Sequence, residues 1–457
     1  MMGLKFILTA VITLAMTMLH AAGNVSAAER STDDPDAVVS EIPKAAKIKT
    51  PDEETIKKGE LLTLQRCLEI ALKRQPNIIA ARNIVTANES RVGQAKANYY
   101  PQLDVSSGYS KIAPVPTATS LSSNAVDQYT SSIGLKQNIY DFGKTSTQVK
   151  IQKFNTDAAK LDLESVSEQI VFNVKQAYYG VLQARKNRTV TEEAVMQFEH
   201  HLGQAKGFFE MGIRSKFDVT KAEVDLSAAK LNLIRADNAF KIAIVSLNNA
   251  MGVIGASDYV LEDILEFKNY EIIFDDATAK AFGNRNDMQA IAARRKALEE
   301  NVELAKTNYY PALTGNAAYN WGGSKFPLED GWNVGATITL PIFSGFLTKN
   351  QIAEAEANLN VIKANEDLLR QNVYFEVQQA FLNLKEAESR IPTAELAVKQ
   401  ATENLDIANG RYTAGVGNPI EVTDAQVAYS NAKTAYIQAL SDYKVAQAAL
   451  EKAMGVR

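Results

Sequence analysis

Between Val195 and Phe240 the apolar positions of this chain step by three and four residues. Val195, Phe198, Leu202, Ala205 and Phe209 lead into Gly212 and Ser215; Val219, Ala222, Leu226, Ala229, Leu233, Ala236 and Phe240 lead out. An apolar residue about every 3.5 positions is the seam of a coiled coil, so the stretch predicts two helices folded on one another across a short turn. The pattern returns 203 residues later, as Val398, Ala401, Leu405, Ala408, Tyr412, Gly415 and Asn418, then Val422, Ala425, Tyr429, Ala432, Tyr436, Ala439 and Tyr443. Two helical hairpins are built to one plan.

Each hairpin is preceded by a change of period. Leu61 to Gln75 and Asn77 to Tyr99 read as helices parted by Pro76, and the second ends at Tyr99-Tyr100-Pro101, where proline forces extended backbone. Alternation by two follows. Leu103, Val105, Ser107 and Tyr109 share one face of a strand over about 102–110, and Tyr129, Ile133, Leu135 and Ile139 share one face of a second over about 127–139. These lengths approach the ~9–11 residues a tilted strand needs to cross a bilayer. Lys144 to Met211 then runs 68 residues in helical period without proline. At ~1.5 Å per residue that is a rod of about 100 Å, and Asp218 to Met251 returns along roughly half of it.

The second copy keeps the order. Asp287 to Tyr309 is helical and ends at Tyr309-Tyr310-Pro311, strands are expected at about 312–320 and 331–340, and Gly345 to Tyr412 is a second rod in which Pro392 predicts a kink or break. Asn418 to Met454 returns. The tyrosine-proline motifs are 210 residues apart but the rods 203, so the first strand pair carries a loop longer by 7 residues. The expected organisation is a signal peptide over 1–28, a flexible extension over 29–60, a first repeat over 61–253, an intervening segment over 254–286 packed around the middle of the rods, and a second repeat over 287–457.

Composition narrows the compartment. Lys5, the apolar run Phe6 to Leu19 and Ser26-Ala27-Ala28 form a secretory signal, and no later stretch is apolar enough for a transmembrane helix, so any membrane span must be β. Residues 29–60 hold Pro35, Pro43 and Pro51, many charges and no aromatic residue, which predicts an unstructured segment. Cys67 is the one cysteine, spaced with Leu64, Leu68 and Ala71 as a core residue, and an intrachain disulfide is excluded. With 53 acidic against 49 basic residues and no basic stripe, nucleic acid is not an expected partner. No catalytic or metal-binding constellation is visible and no cofactor is implied. His200-His201 are adjacent, point about 100° apart and read as a solvated helix face.

Four strands with one apolar and one polar face are too few to close a barrel, and lipid does not tolerate open edges, so closure requires several chains; three would supply twelve strands. Leu61-Leu62-Thr63-Leu64 with Ala71-Leu72 and Pro76-Asn77, both Tyr-Tyr-Pro helix ends, the turns Ile139-Tyr140-Asp141 and Ile342-Phe343-Ser344, and the paired glycine tips together resemble the TolC family of outer membrane efflux proteins. The resemblance covers Leu61 to Val456 and includes the duplication. It implies a mainly α fold with membrane β: a homotrimer whose strands form a 12-stranded barrel in outer membrane lipid, continued by a long α-helical barrel through the periplasm. The implied function is a passive exit duct of a tripartite efflux or type I secretion system, opened by docking to a periplasmic adaptor and an inner membrane pump. A periplasmic coiled-coil adaptor is the competing class, but it would carry one hairpin where this chain has two. An envelope enzyme with a helical stalk finds no acid, base or nucleophile here. The cargo is not written in the sequence.

The tips carry the candidate residues. Glu421 and Asp424 lie three apart at the start of a return helix, and Asp218 takes the place of Glu421 in the first copy. In a trimer they would form acidic rings at the narrow end, and the resemblance places constriction carboxylates at Glu421 and Asp424; acids also favour a first helical turn, and both accounts stand. The resemblance further assigns Tyr412 and Asp218 to a network holding the closed end, although seam packing equally accounts for Tyr412. The arginine it expects at Gly417 is absent, leaving Arg214, the counterpart in the first copy, to replace it. Gly212-Ile213-Arg214-Ser215 and Gly415-Val416-Gly417-Asn418 are the exposed turns where an adaptor would dock.

Overall fold

The computed structural model describes residues 56–113, 125–255 and 258–456, so the expected signal peptide and most of the extension lie outside the described residues. Elements run in chain order as β1 (Leu61–Leu62), α1 (Leu64–Arg74), α2 (Pro76–Lys96), β2 (Gln102–Ile112), β3 (Val126–Tyr140), α3 (Lys144–Glu210) and α4 (Lys216–Met251). The order then repeats: β4 (Val260–Leu261), α5 (Phe274–Asn284), α6 (Asn286–Lys306), β5 (Ala312–Gly323), β6 (Glu329–Thr339), α7 (Leu347–Thr413) and α8 (Pro419–Ala453). Single 3₁₀ turns, Ala97–Tyr99 and Thr307–Tyr309, convert α2 and α6 into the strands that follow.

The sheet is a four-stranded antiparallel meander in the order β2-β3-β5-β6. Its register aligns the two periods read from the sequence: Val105 faces Ile133, Ile133 faces Tyr319 and Tyr319 faces Trp332, so one face is apolar across all four strands. Ser106, Ser132, Asn320 and Asn333 lie on the other, with hydroxyls of Ser106 and Ser132 2.8 Å apart. Strand lengths of 11, 15, 12 and 11 residues exceed the sequence estimates by a few residues and suffice to span hydrocarbon. Aromatic pairs mark both ends. Tyr109–Tyr129 and Tyr319–Trp321, at 5.1 and 4.7 Å, sit toward the hairpin loops, while Tyr140–Phe142 and Phe142–Tyr310, at 4.7 and 5.7 Å, sit beside the helices. β2 and β6 have no partner on their outer sides among the described residues.

Both rods are 67 residues long. Beside the sheet, α2, α3, α6 and α7 lie side by side; toward the tips the order is α4, α3, α8, α7. Two borders of this layer stay open, and each presents apolar residues at intervals of seven, with one position skipped on each helix at Asn238 and Ser389. On α4 these are Phe217, Val224, Leu231 and Val245, and on α7 they are Val361, Leu368, Phe375, Leu382 and Leu396, all exposed. A seven-residue repeat is the pattern of a helix seam with a neighbour. No helix among the described residues is long and apolar enough to cross a membrane.

The main core lies where the short helices meet the middle of the rods. Cys67, Ile70, Tyr178, Leu182, Leu247, Met251, Val377, Leu384, Leu450 and Met454 are buried there together. The Tyr178 hydroxyl donates to the Leu62 and Glu262 carbonyls at 3.2 and 2.8 Å, tying the parallel pair β1–β4 to the rod α3. Arg185 donates to Leu261 O at 3.0 Å from two turns farther on.

Four expectations are corrected. Leu61–Leu62 is a strand, and the first helix starts after it, where the Thr63 hydroxyl accepts from Arg66 N at 3.2 Å. The flexible extension does not reach residue 60, because Ile56 is already packed and Gly59 N donates to Asp258 O at 2.7 Å. The intervening segment 254–286 does pack against the rods, but it contains α5, which lies 210 residues beyond α1 and repeats it, with Ala277 and Ala281 fully buried. Pro392 does not break α7, which runs unbroken from Leu347 to Thr413. It is exposed, and Leu384, Ala387 and Ile391 before it and Leu405 and Ala408 after it are buried, which holds the helix on both sides.

Candidate functional site

At the ends of the rods the seam is built as the spacing requires. Val195, Phe198 and Ala229 form one buried layer, Ala205, Val219 and Ala222 the next, and Leu405, Ala408, Tyr412, Val422 and Ala425 the corresponding layer of the second hairpin. The helices then reverse through Gly212 and Gly415 at φ +71° and +80°, a backbone that side chains with a Cβ rarely adopt. Gly212 N donates to Phe209 O at 2.9 Å and Gly415 N to Tyr412 O at 3.0 Å. The Asn418 side chain accepts from Ile420 N at 3.0 Å and starts α8.

Gly417 is required by close approach. Its N–H bonds Arg411 O at 2.9 Å, and a Cβ at this position would lie 2.7 Å from Tyr412 N and 2.9 Å from Arg411 C. No side chain, arginine included, fits that turn as it is folded. The positive charge comes instead from the other hairpin: Arg214 donates through Nη2 to Gly417 O at 2.6 Å and to Gly415 O at 3.3 Å, with its guanidinium 5.5 Å from the centre of the Tyr412 ring. One side chain thus straps the two tips together.

Tyr412 lies beneath that strap and is fully buried. Its ring meets Phe208 at 5.7 Å and His201 at 4.7 Å, and its hydroxyl has no hydrogen-bond partner among the described residues. Burial pushes the Tyr412 hydroxyl above the usual tyrosine range; Asp218 adds to the shift and Arg214 opposes it. Asp218 is buried as well, close enough to act on both Tyr412 and His201. It was expected in the acidic constriction, but in this chain it belongs to the junction rather than to an open face, because its hairpin packs it inward beside Val219 and Ala222. The sequence-predicted trio Tyr412, Asp218 and Arg214 is therefore brought together, with no direct bond from Tyr412 to Asp218.

Glu421 and Asp424 stay on the exposed side of α8. Arg411 Nε reaches Glu421 Oε2 at 3.3 Å, both side chains about half exposed at 53% and 48%, whereas Asp424 has no ion-pair partner among the described residues. The two carboxylates are not equivalent. Ile213, Val416 and Ser215 are exposed on the turns, together with Met211, Phe217 and Ile420.

The junction contains residues that sequence reasoning missed. His201, read as solvated, is 5% exposed, and its Nδ1 has no partner among the described residues. Asp225 is held by Lys221 at 2.5 and 2.7 Å and accepts from the Thr423 hydroxyl at 2.9 Å, which links the first hairpin to α8. The Lys221–Asp225 pair is visible in sequence as an i, i+4 pair of opposite charge. His201 and Thr423 carry no such signal, since each is buried where the two hairpins meet.

Comparison with known proteins agrees with this architecture. The family model described as "Outer membrane efflux protein" matches residues 67–253 and 278–456. Outer membrane protein TolC of Escherichia coli (strain K12) is 24% identical over 388 residues, covering 80% of this chain and 76% of that protein. Protein CyaE of Bordetella pertussis (strain Tohama I / ATCC BAA-589 / NCTC 13251) is 23% identical over 409 residues, covering 86% and 84%. Among solved structures, the CmeC outer membrane channel of Campylobacter jejuni superposes with a TM-score of 0.76 at 17% identity, covering 91% of this chain and 93% of that one. With both halves of the chain matched by one model, each beginning near a short helix and ending at a Met-Gly-Val motif, the chain belongs to the outer membrane efflux protein family.

Proposed function

We propose that this protein is the outer membrane exit duct of a tripartite efflux or type I secretion assembly: a passive homotrimeric channel that catalyses nothing and is energised by an inner membrane pump through a periplasmic adaptor. The observation that carries it is the union, in one chain, of a membrane-length sheet with two bare edges and a rod layer with two bare apolar borders. Because the four strands alternate in direction, β2 and β6 run antiparallel to one another, so β6 of one copy can pair with β2 of the next and a ring can close. The stripes on α4 and α7 lie at opposite borders of the layer and suit the same head-to-tail closure. The apolar face and its aromatic ends fit outer membrane lipid.

Within that channel Tyr412, Asp218 and Arg214 hold the tips closed, and Glu421 with Asp424 line the narrow end and favour cations. Gly212 to Ser215 and Gly415 to Asn418 are the turns that a partner's helical hairpin would engage. Native mass measurement of the detergent-extracted protein tests the assembly. A trimer that Phe375→Asp dissociates is expected, and a monomer, or a trimer indifferent to charge on the α7 stripe, refutes the closure. Capture of the cognate adaptor should fall with bulky substitutions at Gly212 and Gly415; undiminished capture removes the docking assignment.

A further inference from the structure

The junction beneath the Arg214 strap holds a titratable side chain with no structural need to titrate. His201 sits on α3 where α4, α7 and α8 converge. It is 5% exposed, lies 4.7 Å from the Tyr412 ring, and its Nδ1 has no hydrogen-bond partner among the described residues. We propose that His201 is the proton-sensitive element of this junction: an imidazole packed neutral between the hairpins which, when protonated, favours their release, so that acidification opens the tip. The inference rests on the assignment of Tyr412, Asp218 and Arg214 to the closed state.

The surroundings decide the sign. A buried imidazolium is stable only beside a carboxylate free to receive it. From α4, Asp225 is already engaged by Lys221 at 2.5 Å and by the Thr423 hydroxyl at 2.9 Å, and Asp218 Oδ1 lies 3.5 Å from the Ser215 hydroxyl. Lys221 on α4 and His200 on α3 itself both disfavour a charge on His201, and Arg214 already lies over the Tyr412 ring. From α7 the facing group is Tyr412, whose hydroxyl burial keeps protonated. From α8 the polar groups are Thr423 and Gln426, which do not titrate, and the Gln426 Oε1 is itself without a partner among the described residues. Burial therefore lowers the His201 pKa below its ordinary value, with His200 and Lys221 acting the same way and Asp225 and Asp218 only partly opposing.

Linkage turns this into a direction. When the hairpins part, the ring meets water and titrates near the ordinary histidine pKa of ~6.5. The packed state has the lower pKa, so its stability is full above ~6.5 and falls as pH drops from there toward the packed-state value. At pH 5.5 a solvated imidazole is charged about ten to one, which shifts the packed-to-released equilibrium by up to about tenfold per chain relative to pH 8.

The test is single-channel conductance of the purified protein in planar bilayers at pH 8 and pH 5.5, for the wild type, His201→Gln, His201→Lys and His200→Gln. Expected are a higher open fraction at pH 5.5 in the wild type and in His200→Gln, a profile flat with pH in His201→Gln, and a raised open fraction at both pH values in His201→Lys. A flat wild-type profile, or an equal rise in His201→Gln, overturns the proposal. A parallel measurement on Tyr412→Phe with Asp218→Ala at pH 8 separates the two levels: raised conductance there beside a flat wild-type profile keeps the gate and discards the proton response, and unchanged conductance there discards both.

Discussion

Replacing Arg214 with leucine removes a side chain that reaches from the turn of the first hairpin to the turn of the second. The lost contacts are two hydrogen bonds from Nη2, at 2.6 Å to Gly417 O and 3.3 Å to Gly415 O, and the stacking of the guanidinium 5.5 Å from the Tyr412 ring. A hydrogen bond from a charged donor contributes about 1.5–3 kcal/mol, and Arg214 is only half-buried, which favours the lower end. A cation over an aromatic ring at a partly exposed site adds about 0.5–1 kcal/mol. The closed tip should lose about 2–3 kcal/mol per chain, which is a shift of about 30- to 150-fold toward release. Arg214→Lys should fall between, since an ammonium keeps the charge but not the planar fork. Single-channel recording at pH 8 reads this as a higher open fraction or a larger conductance step, with circular dichroism confirming that the rods are intact. If Arg214→Leu and the wild type give the same trace, the strap contributes nothing to closure and the account of the missing arginine fails with it.

Gly417→Ala places a Cβ 2.7 Å from Tyr412 N, so the turn must shift at a cost of about 1–3 kcal/mol, and the Arg214 strap loses its acceptor. Its effect on open fraction should match Arg214→Leu in direction and not add to it; additive effects in the double variant would separate the two sites. Asp424→Asn should lower the preference for potassium over chloride, measured by reversal potential, more than Glu421→Gln, because Arg411 already sits against Glu421 at 3.3 Å; equal losses would count against that ranking. Cys67, buried with its thiol pushed up to about 12, should resist maleimide at pH 8 in the folded protein and react after unfolding, so rapid labelling of the native form would place it elsewhere than the core.

Most of the framework is legible in the order of the residues because it rests on periods that the backbone imposes. The 3, 4, 3, 4 steps from Val195 and from Val398 produce the observed seams, and the alternation from Leu103 and Leu313 produces one continuous apolar sheet face. What was missed is tertiary. Helix α5 has alanines at its buried positions 277 and 281, too small to announce a core face, and it is recognisable only as the counterpart of α1. Pro392 was judged by what proline does to an isolated helix, whereas here packing on both sides holds the rod. His201 follows the same logic in reverse: a polar residue beside the seam looks solvated until a second hairpin covers it. Glycine at 417 looked like a lost arginine and is a steric requirement, with the charge supplied by Arg214 from the first copy. The division of labour between the tips is therefore a property of the pair, invisible in either repeat alone.

The bare flanks of β2 and β6 also set an order of events. Helices close their own hydrogen bonds, so the rods and their core at Tyr178 and Leu384 are complete in one chain surrounded by water. The sheet is not, because the outer backbone groups of β2 and β6 have no partner among the described residues, and lipid offers them none. If the barrel closes between copies as proposed, delivery into the membrane follows association of chains in the aqueous compartment, and its rate should depend steeply on how many chains are present. A cell that makes too little of this protein would hold folded stalks with nowhere to insert.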